Sequence, residues 1–158
     1  MSEVLLDHGL YMQEALYEAR LAMLTGDVPV GAVVVVDGTI IGRGRNGREA
    51  LNDPTAHAEV IALRDTARQL GSWRLTAAVL YVTLEPCIMC IGAAVLSRIQ
   101  ALAFACEDPK TGACGSQFDI IGAQRLNHTF PIISGVCRAE ASALLSEFFR
   151  TLRFNKSK

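Results

Sequence analysis

"VGAVVVVDGTIIGRGR", Val30 to Arg45, is two apolar runs joined at Asp37-Gly38. An Asp-Gly pair between β-branched runs is a strong short-range signal for a hairpin, because a two-residue hairpin turn needs positive φ at its central positions. The hairpin places two antiparallel strands early in the chain. On its N-terminal side, Leu10 to Thr25 carries apolar residues at helical spacing, with Gly26 as a stop. On its C-terminal side, "NGREALNDP" reads as a polar loop ending at Pro54. Thr55 is placed to cap a helix that runs to Leu70, with Gly71 just beyond. "AAVLYVTL" reads as a buried strand, and Pro86 suits the first turn of a further helix through Leu96. "QALAFAC" is another strand, "DPKTGACGS" a glycine-rich loop, and Arg138 to Arg153 a closing amphipathic helix. Strands alternating with helices of this length specify a layered α/β domain. The hairpin makes its sheet mixed, since an all-parallel sheet has no place for one.

Bulk properties bound the function. The 158 residues are 51% apolar and carry a net charge of −1, which fits one globular domain over residues 1–158. The first residues, "MSEVLLDHGLYMQEALYEAR", have no basic segment before the apolar stretch, so they do not read as a signal peptide. No apolar run approaches the roughly 20 residues that span a bilayer. A cytoplasmic location is expected. Near-neutral charge argues against a protein that tracks a long nucleic-acid backbone. The tail "FFRTLRFNKSK" is the exception: Arg150, Arg153, Lys156 and Lys158 follow Glu147 with no acid between them. It reads either as a frayed, solubilising end or as a local anion contact.

The five cysteines, at positions 87, 90, 106, 114 and 137, include one tight pair and do not form a disulfide framework. Cys87 and Cys90, at i and i+3 of a starting helix, put both sulfurs on one side of its first turn. The positive end of the helix favours thiolates, and two thiolates suit zinc. A redox pair and half of a structural zinc site are the alternatives. Cys106, Cys114 and Cys137 supply no second C-x-x-C, and buried small apolar side chains are their default. His57 does offer a third ligand at the start of another helix. Three protein ligands leave one tetrahedral position open, the mark of a catalytic site. Two thiolates cancel the zinc charge, so the ion acidifies water less than an all-imidazole zinc does, and a neighbouring base is needed. Glu59 can be that base. Its alternative is an ordinary first-turn acid favoured by the helix dipole. H-x-E followed by P-C-x-x-C is the pattern of zinc nucleobase deaminases.

With "DVPVGAVVV", "NDPTAHAEVIALR", "LYVTLEPCIMCIGA", "SRI", "DPKTGACGS", "LNH" and "LLSEFFRTLR", the chain resembles the bacterial tRNA-specific adenosine deaminases of the cytidine deaminase-like superfamily over nearly its whole length. The resemblance implies a three-layer α-β-α fold with a central mixed five-stranded sheet, a homodimer, and one zinc ion per chain. It implies hydrolytic deamination of the wobble adenosine to inosine in a tRNA anticodon loop, by Glu-assisted attack of zinc-activated hydroxide on adenine C6. Carried onto matching positions, His57, Cys87 and Cys90 bind zinc and Glu59 shuttles protons. Asn46 hydrogen-bonds the target nucleoside, or else is a turn asparagine. Asp108 and Lys110 belong to the loop that approaches the RNA, and Phe149 and Arg150 to a closing helix near flanking nucleotides. Ala105 and Cys106 depart from the Gly-Ala more usual before that loop. Two other readings share the zinc residues. One is a deaminase of free cytosine, cytidine or guanine; the other is a zinc-stabilised RNA-binding module without catalysis, in which Glu59 has no task.

Overall fold

The computed structural model describes residues 7–123 and 125–157; Lys158 of the basic tail lies outside them. Among the described residues eleven elements follow in chain order: α1 (His8–Met23), β1 (Gly31–Val36), β2 (Thr39–Arg45), α2 (Arg48–Leu51), α3 (Ala58–Leu70), β3 (Ala78–Leu84), α4 (Ile88–Ser97), β4 (Ala101–Cys106), a 3₁₀ turn at Ile121–Ala123, β5 (Ile132–Ser134) and α5 (Arg138–Lys156). The strands form one sheet in the order β2-β1-β3-β4-β5. β1 runs antiparallel to β2 and β3, while β3, β4 and β5 are mutually parallel. The mixed five-stranded sheet therefore matches the sequence expectation.

The hairpin turns where the Asp-Gly pair stands. Asp37 and Gly38 take φ of 49° and 79°, and Val36 pairs with Thr39 across a two-residue loop. That is the primed turn that the strand twist favours. Alternation then divides the strands between two cores. Ala32, Val34, Leu80, Val82, Leu102 and Phe104 pack with α3 and α4 through Ala62, Leu63, Ile91 and Ala94. Val33, Val35, Val79, Tyr81 and Ala103 pack on the other face with α1 and α5 through Met12, Leu16 and Ala141. Both faces of the sheet are covered, which gives three layers and explains why the central strands read as continuous apolar runs.

β2 brings Gly42 and Gly44 close against α3. A Cβ built on Gly42 would lie 2.1 Å from Thr66 Oγ1 and 2.6 Å from the Ala62 carbonyl oxygen. One on Gly44 would lie 2.3 Å from the Ala58 carbonyl oxygen and 2.6 Å from the Ala62 nitrogen. Gly44→Ala should push the start of α3 off the sheet. We expect a loss of about 2 kcal/mol, as for overpacking a well-filled core, measurable by urea unfolding with an unchanged m-value.

Several local expectations shift. Thr55 does not cap α3, because its hydroxyl and its amide both donate to Asp53 Oδ1. His57 takes the cap position with an extended backbone. Pro86 stands before the next helix and not in its first turn, so Cys87 is the cap residue of α4. The polar loop after β2 contains the short helix α2. Its amides at Glu49 and Ala50 donate to the buried carboxylate of Asp27. β5 has only three residues and follows Pro131, too little for a periodic signal. Among the described residues, no helix is long and apolar enough to cross a membrane.

Candidate metal centre and active-site cavity

His57 and Cys87 occupy the same position in two helices. Each is the N-cap residue of its helix, and neither side chain makes a capping hydrogen bond. Both are therefore free to turn towards one another. Cys90, one turn into α4, completes the group. His57 Nδ1 lies 3.6 Å from Cys87 Sγ and 3.5 Å from Cys90 Sγ, and the sulfurs are 3.8 Å apart. Tetrahedral zinc, with bonds of about 2.3 Å to sulfur and 2.0 Å to nitrogen, has edges of about 3.8 Å between sulfurs and about 3.5 Å between sulfur and nitrogen. The triangle thus has the dimensions of one face of a zinc tetrahedron. The donor set also fits, being two soft sulfurs and one imidazole. Among the described residues this is the only group of three or more such side chains close enough to hold a metal ion.

The three ligand side chains shift one another's protonation. A hydrogen bond joins the Cys87 and Cys90 sulfurs, and this contact, aided by His57, lowers the Cys87 thiol to about 4. The same bond, together with burial, pushes Cys90 up. His57 is raised by its contact with Cys87, which outweighs its burial. Glu59, two residues beyond His57, is only 4% exposed. Burial pushes its carboxyl up, and the neighbouring Cys90 thiol and His57 work against that shift.

A cavity of about 700 Å³ opens from this cluster. Its walls include His57, Glu59 and Cys87, with Asn46 and Arg48 on one side, Glu85 and Cys106 to Thr111 on another, and Phe149 and Arg153 from α5. The structure therefore gathers Asn46, Glu59, Asp108, Lys110 and Phe149 around the three ligand atoms. Arg150 does not line the cavity; Arg153, one turn further along α5, does. Asn46 is held in place, donating from Nδ2 to the Val28 carbonyl and accepting at Oδ1 from the Arg48 amide. Asp108 folds back on its own loop, accepting from the Lys110 and Thr111 amides and the Thr111 hydroxyl.

Glu85 was not singled out by its sequence position. It is 3% exposed, and its carboxylate organises the cavity's loop wall. A lone acid between a strand and a proline looks like a surface charge, and its partners are backbone amides that leave no sequence pattern.

This arrangement of a His/Cys/Cys triangle, a buried glutamate and an open cavity over an α/β sheet is that of a deaminase. The chain belongs to the MafB19-like deaminase family, whose model matches residues 6–153. Within that class it is similar to proteins named tRNA-specific adenosine deaminase. It is 47% identical to one from Bacillus subtilis (strain 168), over 93% of this chain and 91% of that one. It is 49% identical to one from Haemophilus influenzae, over 92% and 84%. A solved structure from studies of A-to-I editing by tRNA A34 deaminases at the wobble position of transfer RNA superposes with a TM-score of 0.83 at 42% identity, covering 86% of this chain and 99% of that one.

Proposed function

We propose that this chain deaminates the wobble adenosine of a tRNA anticodon loop to inosine. The single observation that carries this reading is Glu59, buried beside a ligand triangle of zinc dimensions at the floor of an open cavity. A structural zinc site or an RNA-binding module has no use for it. His57, Cys87 and Cys90 would hold one zinc ion, which supplies Lewis-acid activation of a water. The relatives' names carry the choice of substrate.

The remaining chemistry belongs to the chain's own side chains. Glu59 takes a proton from the attacking water and gives it to N1 of adenine as oxygen bonds to C6. It then hands the second proton to the departing amino group. Water and adenosine become inosine and ammonia, and Glu59 ends as it began. A carboxyl raised by burial suits both halves of that cycle, since it holds an accepted proton more readily than an exposed glutamate and can then return it. Asn46, fixed by Val28 and Arg48, is placed to orient the nucleoside. Phe149 and the Asp108–Lys110 segment lie at the cavity wall, where nucleotides flanking a splayed-out base would pass. We take Arg150 to act outside the cavity, on the exposed side of α5. Residues 1–158 act as one deaminase domain in a cytoplasmic homodimer.

The test is incubation of the zinc-loaded protein with an anticodon stem-loop carrying a wobble adenosine, in parallel with free adenosine, cytidine, cytosine and guanine. Inosine in the RNA alone is expected. Turnover of a free base with intact RNA would move the chain to the small-molecule deaminases. A related prediction concerns α5. Arg153→Ala should weaken stem-loop binding and reduce the slope of log K against log salt by about 0.7, the value for one phosphate contact on a single strand. Arg150→Ala should change the slope less, because only Arg153 lines the cavity. Equal slopes for all three proteins would remove both arginines from the interface.

A further inference from the structure

The geometry points to Glu85 as a positioning residue that clamps the substrate-side loop, residues 108–116, against the turn carrying Cys87 and Cys90. This rests on the reading of that loop as the RNA-facing wall of the cavity. One carboxylate gathers four donors from the loop. Oε1 accepts from the Asp108 amide at 3.1 Å and from the Ser116 hydroxyl. Oε2 accepts from the Cys114 amide at 2.9 Å and the Ser116 amide at 3.2 Å. Its own amide donates to the Cys106 carbonyl, so both ends of Glu85 face the start of the loop. The next residue, Pro86, accepts from the Ala113 amide at 2.8 Å. The chain then passes directly to Cys87. Loop and ligand turn are thus joined through two consecutive residues.

Only a carboxylate fits this place. It has about four acceptor sites and no donor. A glutamine of the same shape would aim an N–H₂ group at backbone N–H groups and leave donors unmatched in a buried setting. Gly112 completes the fit. A Cβ there would stand 2.4 Å from Glu85 Cδ and Oε2 and 2.6 Å from the Asp108 carbonyl oxygen. The loop can therefore close on the carboxylate only because residue 112 has no side chain. Asp108, Lys110 and Thr111, which line the cavity, hang between the clamped points. Glu85 acts on the substrate through them.

The experiment compares Glu85→Gln and Gly112→Ala with the unaltered zinc-loaded protein. Amide hydrogen exchange reads the clamp, and stem-loop kinetics reads its effect. In both variants the amides of residues 108–116 should exchange about tenfold faster, while those of β1, β3 and β4 keep their protection. KM for the stem-loop should rise about tenfold with kcat within about threefold, since the loop touches flanking substrate and not the reacting atoms. Zinc content should stay at one per chain. Unchanged exchange in the loop, loss of protection throughout the sheet, loss of zinc, or a fall confined to kcat would each overturn the assignment. If the unaltered protein edits no RNA, the proposed substrate is wrong; the exchange comparison still decides whether Glu85 holds the loop.

Discussion

Glu59→Ala should keep its zinc and its fold and lose turnover by about 10²–10⁴-fold, the usual contribution of a positioned acid–base group. The side chain lies inside the molecule, so part of any loss could reflect a cavity left behind. Glu59→Gln controls for that: it keeps the volume and removes the proton carrier, and should be as inactive as the alanine variant. Metal analysis and thermal unfolding establish that the site and fold survive. Near-normal rates in either variant would end the proton-shuttle assignment. The pH profile gives a second readout. Burial raises the Glu59 carboxyl above its ordinary value of 4.5. The basic form is lost as pH falls through that raised value. The acid limb of kcat/KM should therefore lie at higher pH than for an exposed glutamate.

Cys90→Ala should abolish both zinc binding and activity. Cys90 is fully buried and supplies one corner of the ligand triangle, and two remaining ligands do not make a catalytic zinc site. The reverse experiment uses the unaltered protein stripped by a chelator. Zinc uptake requires two thiolates and a neutral imidazole, yet without metal Cys90 keeps its proton and His57 is raised. Readdition should release protons, and affinity should rise with pH. A stripped protein that remained fully active would end the metal mechanism altogether. The same result would revive the redox reading of Cys87 and Cys90.

The sequence was most legible where one residue pair or one spacing dictates geometry. Asp37-Gly38 specified the hairpin, and the unbroken apolar runs "GAVVVV" and "AAVLYVTL" specified strands buried on both faces. His57, Cys87 and Cys90 were legible as a candidate ligand group, which the fold brings together, because thiol and imidazole side chains at helix starts have few other uses together. Resolution was lost where backbone groups choose their partners. Asp53 captures Thr55, so the cap of α3 moves to His57. Asp27 caps α2 from some 20 residues away, which no local pattern announces. Arg153 proved to line the cavity in place of Arg150, because facing on a helix 19 residues long is set by how α5 docks on the sheet. Glu85 escaped notice for the same reason as Asp27: its four partners are revealed only by the folded loop.

The glycine-lined contact between β2 and α3 has a thermal consequence. Helices usually rest on a sheet through side chains, which gain rotamer freedom on warming and let the elements drift. At Gly44 the helix backbone lies directly on the strand, and at Gly42 only the Thr66 hydroxyl, itself tied to the Ala62 carbonyl, stands beside it, which leaves little to soften. His57 and Glu59 begin that helix, so their register with Cys87 and Cys90 should hold as temperature rises. The logarithm of kcat against reciprocal temperature should then run straight up to the point at which the whole chain unfolds.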